Sequence, residues 1–182
     1  MVRLLALSAL IIGVLAQSAL GQEAKSRPVA RLITSLAPVA ARPATSAPVE
    51  PNSIEKRAFE KTNLVRVQNG LAPFVWDADV CRMARVHSES MSRKNFFAHV
   101  TPEGLRLRDR ARAAGILQFS VLGENIAYNQ GYDDPGAFAV ERWMASAKHR
   151  ANILSPEFRA MAIGSYVGPD GSVYLTQTFI TR

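Results

Sequence analysis

The stretch "AMAIGSYVGPDGSVYLTQTFIT" near the C-terminus constrains the fold more than any other part of the chain. Ala160–Val167 and Ser172–Thr181 alternate apolar and polar side chains, and Gly168-Pro-Asp-Gly171 joins them, which predicts a β-hairpin. Two strands cannot hold themselves in water, so this hairpin must find a third strand and an apolar layer upstream. Phe119–Tyr128 reads as that third strand. The layer comes from helices. Asn52 or Ser53 can cap one running to about Asn69, with Glu55 suiting its dipole and Gly70 ending it. "LAPFVWD" reads as a connector. Asp77 can cap a second helix to about Phe96, where Val80, Ala84, His87 and Met91 form a single stripe. Thr101-Pro102-Glu103 predicts a short helix reaching about Ala114, stopped by Gly115. Asp134-Pro135 opens another, carrying Val140, Trp143 and Met144 and fraying near Ser146. Helices grouped against antiparallel strands, with no βαβ alternation, no internal repeat and no glycine-rich phosphate loop, predict an α+β domain.

The first fifty residues have another character. Arg3 followed by the apolar run Leu4–Leu15, interrupted only by Ser8 and Gly13, and then Ala19-Leu20-Gly21, reads as an export signal over 1–21 cleaved before Gln22. No cysteine near that point could carry a lipid anchor. Membrane contact is expected only transiently, through the leader; the alternative is that the apolar run, near the lower end of what spans a bilayer, is retained as an anchor. Residues 22–52 are rich in Pro, Ala and Ser, with too few large apolar groups to offset ordering, and read as a disordered spacer. The folded unit is then 53–182, about 130 residues, enough for one core. A secreted, periplasmic or cell-envelope location follows from the leader.

The chain carries 22 Lys+Arg against 15 Asp+Glu, a net charge of +7. Five of those basic residues precede residue 53, and the densest run in the domain, Arg106–Arg112, alternates with small and acidic residues as a solvated helix face does. Without a basic stripe interleaved with aromatics, nucleic-acid binding is not expected. Cys81 is alone, so no internal disulfide forms and stability must come from packing. Nothing beside Cys81 in sequence lowers a thiol pKa, which makes it a small core residue.

Polar residues carry the functional question. His87 lies on an apolar stripe and reads as a core histidine. His99 follows one helix in "NFFAHV", His149 follows another in "SAKHRANIL", and Glu124 enters a strand in "GENIAYN". Two neutral imidazoles can ligate zinc or copper and leave positions for water, while a carboxylate can take a proton from such a water or fix a histidine tautomer. Spacing alone favours three polar residues satisfied separately at the surface over such a cluster, because no close metal-ligand spacing is present.

The pieces "TNLVRVQNGLAPFVWD", "ARVHSESM", "NFFAHVTPEG", "GENIAYN", "ERWMASAKHRANIL" and "GSVYLTQTF", in that order, resemble the bacterial branch of the CAP superfamily (cysteine-rich secretory, antigen 5 and pathogenesis-related proteins; SCP-like domains) from about residue 54 to the C-terminus. The resemblance implies a three-layer α-β-α sandwich around a central antiparallel sheet. It also implies a cleft with two histidines and two acids able to hold a divalent metal, typically zinc. On this chain it places the metal ligands at His99 and His149 and the Gly-Glu-Asn acid at Glu124. The second acid is replaced by Ser146, which cannot be an anionic base. Glu141 lies roughly 140° away around the helix and does not substitute for it. Gly123 is expected to permit a tight turn holding Glu124 toward both histidines, Asn125 to satisfy backbone groups, and Trp143 to pack beneath the cleft.

Two functional readings follow. One is a non-catalytic module binding a lipid, a glycan or an envelope or extracellular protein. The other is a zinc-dependent hydrolase with Glu124 as general base. The residues favour the first, because two histidines without a third protein ligand make a poor catalytic zinc site and no serine sits in a nucleophile elbow.

Overall fold

The computed structural model describes residues 49–182, so the expected leader and most of the expected spacer lie outside the described residues. The chain forms α1 (Ser53–Gln68), β1 (Val75–Trp76), α2 (Ala78–Arg93), α3 (Leu107–Ala113), β2 (Val121–Gln130), α4 (Pro135–Ala145), α5 (Ala147–Leu154), β3 (Ala160–Val167) and β4 (Ser172–Thr181). The sheet order is β1-β3-β4-β2, with β3–β4 and β4–β2 antiparallel. Within "LAPFVWD", Val75–Trp76 adds a two-residue parallel edge beside β3. Two residues give no periodicity, so the connector reading could not reveal it.

Helix starts follow their caps. Asn52 Oδ1 accepts from Glu55 N while Glu55 returns a carboxylate to Asn52 N, a capping box. Asp77 accepts from the amides of Asp79 and Val80, and Asp134 from Ala137 N with Pro135 at the helix start. The Thr101-Pro-Glu signal does not start a helix. Thr101 instead closes a turn, its carbonyl accepting from Gly104 N and its hydroxyl from Leu105 N, and the positive φ of Gly104 (86°) completes it. Only from Leu107 does α3 begin. The spacer also ends earlier than expected, since the Val49 carbonyl accepts from Trp76 Nε1 and that of Glu50 from Arg85.

Alternation along the strands divides the core into two clusters. Met161, Ile163, Leu175 and Phe179 face α1, α4 and α5, packing on Ala58, Val140, Trp143 and Ile153. Ala160, Ala162 and Ile180 face α2 and α3, meeting Val80, Cys81, Met83 and Ala111. Close approach of α2 depends on Gly164, where a Cβ would lie 2.0 Å from Arg85 N. Cys81 is buried there, and burial pushes its thiol up to about 12, an inert core group. This is the expected three-layer α-β-α sandwich.

Candidate functional site

Strand β2 is the sheet edge, and its consecutive residues serve opposite layers. Glu124 points toward α2 and α3; Asn125 points toward α4 and α5. On the first side, Glu124 Oε1 accepts from His99 Nδ1 at 2.9 Å. Arg110 Nη2 donates to both carboxylate oxygens, at 3.0 and 2.8 Å, and to the His99 carbonyl. Arg110 is a residue that sequence reasoning missed. Its only signal was the basic run on α3, read as a solvated face, yet Arg110 is buried on that helix while Arg108 and Arg112 are exposed. Burial alone would raise the Glu124 pKa; the His99 hydrogen bond and the Arg110 charge outweigh it and hold the carboxyl below its ordinary value.

On the second side, Asn125 Nδ2 donates to the His149 carbonyl and to Gln177, and Asn125 Oδ1 accepts from Asn152. His149 is not in a loop but on the first turn of α5, a separate helix after Ser146. Burial lowers its pKa, with the His99 and Lys148 charges acting in the same direction, so the ring is favoured neutral. His87 is wholly buried and donates from Nε2 to the Ala98 carbonyl, 3.1 Å away; burial with the Arg110 charge pulls its pKa down to about 4. Asn152 also donates to the Glu124 carbonyl, and Trp143 Nε1 to that of Ile126.

Glu124 therefore faces one histidine and an arginine, rather than two histidines. Gly123 makes no turn. It lies inside β2, where a Cβ would meet the Phe158 ring at 2.6 Å, so glycine there makes room for an aromatic of the opposite layer. Trp143 is buried under the groove and Ser146 lines it.

That groove, about 1140 Å³, runs along the β2 edge between Phe96–Phe97 and α4. Phe97, Tyr128 and Tyr174 meet edge to face in sequence, with centroids 6.4 and 5.0 Å apart, and Tyr132 stacks on Phe138 across from them. Asn95, Asn129, Gln130, Ser146, Arg142 and His149 supply its polar surface, and among the described residues no carboxylate lines it. Asn129 donates to the Pro135 carbonyl and leaves Oδ1 without a partner among the described residues.

Among the described residues, no three His, Cys, Asp or Glu side chains converge as metal ligands. Both Glu124 oxygens are engaged. The hydrogen bond from His99 Nδ1 to Glu124 puts the ring proton on Nδ1 and leaves the lone pair on Nε2. His99 and His149 remain the two candidate ligands, and with Glu124 held by His99 and Arg110 no third joins them among the described residues.

The sequence pattern of CAP, the cysteine-rich secretory protein family, matches residues 59–179. The chain belongs to this family. Its CAP domain is 39% identical over 128 residues to the uncharacterized membrane protein YlbC of Bacillus subtilis (strain 168), covering 70% of this chain and 34% of that protein. It is 38% identical over 138 residues to the uncharacterized protein YkwD of the same organism, covering 76% and 51%. The chain thus spans between a third and about half the length of these curated relatives. Among solved structures, an extracellular protein containing a SCP domain from Bacillus anthracis str. Ames superposes with a TM-score of 0.65 and 30% identity, over 75% of this chain and 45% of that one. An outer surface protein of Borrelia burgdorferi shares the fold at 15% identity, with a TM-score of 0.63, over 74% and 96%.

Proposed function

We propose that this CAP domain is a non-catalytic binding module acting outside the cytoplasm, whose groove takes an elongated, uncharged glycan strand. One observation carries the reading: the groove combines seven aromatic side chains with amide side chains and, among the described residues, has no lining carboxylate. Sugar rings offer apolar C–H faces to aromatic rings and hydroxyls to amides. Glycoside hydrolysis requires two flanking carboxyl groups, and hydrolysis through a metal-bound water requires a free base. Neither the lining nor the engaged Glu124 supplies one, which supports binding over catalysis. Location outside the cytoplasm is supported by the leader-like sequence of residues 1–21 and by the extracellular and outer-surface relatives. Zinc on His149, which lines the groove, would add a Lewis-acidic contact for a ligand oxygen.

The test is calorimetric titration with the β-1,4-linked N-acetylglucosamine tetramer. Micromolar to low-millimolar binding is expected, with Tyr128→Ala weakening it about tenfold through loss of about 1.4 kcal/mol of contact. Parent-like affinity in Tyr128→Ala, or no binding at several millimolar, overturns the reading.

A further inference from the structure

A second cavity, about 450 Å³, shares no lining residue with the groove. It sits between α2, the 101–105 turn and α3. Met83, Val86, Leu105 and Ala113 make its surface mainly apolar, and its volume is within the range of small-molecule pockets. Two of its lining residues are almost completely buried and incompletely satisfied. Among the described residues Arg110, 7% exposed, has no partner for Nε or Nη1, and His87, 0% exposed, has none for Nδ1. Leaving such groups unpaired costs about 1–3 kcal/mol each.

The chemistry of the missing partner follows from what is already paired. His87 Nε2 meets a backbone carbonyl, so it carries the ring proton and Nδ1 offers a lone pair. Arg110 offers only donors. A partner serving both must accept and donate at one polar atom, as a hydroxyl does. Charge does not require an anion, because each cation at the cavity faces a carboxylate, Arg82 with Asp79, Lys94 with Glu103 and Arg110 with Glu124, although Arg82 Nη1 also has no partner among the described residues. We propose that this cavity is a binding site for a small, uncharged, hydroxyl-bearing apolar molecule, a phenol or short-chain alcohol. Its hydroxyl accepts from Arg110 and donates to His87 Nδ1, while its hydrocarbon part contacts Met83, Val86 and Leu105. The unpaired atoms are shut from solvent in this form, so the molecule enters as the 101–105 turn, tied to α2 by the Lys94–Glu103 ion pair, moves aside.

Full-length protein would be titrated with 4-ethylphenol, ethylbenzene and 4-ethylbenzoate, following backbone amide shifts by NMR. The phenol is expected to bind at least tenfold more tightly than the other two, shifting amides of 82–94 and 101–114. Val86→Trp, at an exposed position on the wall, should abolish binding of the phenol without changing the melting temperature. His87→Phe should reduce the preference for phenol over ethylbenzene to about one. Equal binding of phenol and hydrocarbon by the parent, preference for the benzoate, shifts confined to the groove residues, or no binding up to the solubility limit would each overturn the proposal. Because the cavity is separate, its failure would leave the glycan reading untouched.

Discussion

Arg110 Nη2 lies within 3.0 Å of both carboxylate oxygens of Glu124, and the two side chains are 7% and 3% exposed. A buried carboxylate with a guanidinium on both oxygens is a fixed anion, and the Glu124 hydrogen bond to His99 is then a positioning contact. Removing one partner of such a pair leaves an uncompensated buried charge. Arg110→Met is expected to cost about 3–5 kcal/mol in urea unfolding. Arg110→Met/Glu124→Leu should recover most of that loss. Additive losses in the double variant would show that the two do not act as a pair.

Stability should fall on mild acidification, in two steps. The folded His87 pKa of about 4 lies below its unfolded value near 6.5, so between those limits the unfolded state binds more protons. This contribution is complete above about pH 6.5 and is lost as pH falls toward 4. Glu124, also depressed, contributes stability above its unfolded value, which is lost only at lower pH as its folded pKa is passed. Melting curves from about pH 8 to 3 should show the first decline below about pH 6.5. A flat profile between about pH 6.5 and 4.5 would contradict a buried neutral His87.

Trp143→Ala is expected to cost roughly 3–5 kcal/mol, since the indole is 1% exposed and its Nε1 donates to the Ile126 carbonyl at 2.9 Å. Trp143→Phe should cost less, retaining most of the packing and losing the hydrogen bond. A parent-like melting temperature for the alanine variant would place the ring outside the core.

Zinc binding should be modest, because two imidazoles are the available ligands. His99→Ala and His149→Ala should each abolish it, while Glu124→Gln should weaken it less, acting through the His99 ring. Ser146→Glu should strengthen it by supplying an anion at the groove. Affinity should drop on acidification, because a protonated imidazole cannot ligate, and the lowered pKa of His149 moves its loss of binding to lower pH. Calorimetry of the four variants at about pH 7.5 and 5.5 is the check, and parent-like binding by both histidine variants would rule the site out.

The fold was legible where local chemistry decides it. Asn52, Asp77 and Asp134 are caps with the right residues behind them, and the Gly168–Gly171 turn fixes the register of β3 and β4. Thr101-Pro-Glu misled because an N-cap side chain also closes a turn, and Gly104 three residues on decides between them. The site was legible by residue type but not by direction. Glu124 and Asn125 are adjacent in sequence, and strand alternation sends them into different layers. Which layer holds Arg110 depends on how α3 packs against β2, and no local pattern carries that.

The edge position of β2 has a consequence for assembly. A ten-residue edge strand normally offers a template on which another chain can add itself. Here the carbonyls of Glu124 and Ile126, in the middle of the strand, already accept from Asn152 and Trp143 of the adjoining helices. The contacts that hold α4 and α5 in place also act as a guard against strand-to-strand polymerisation.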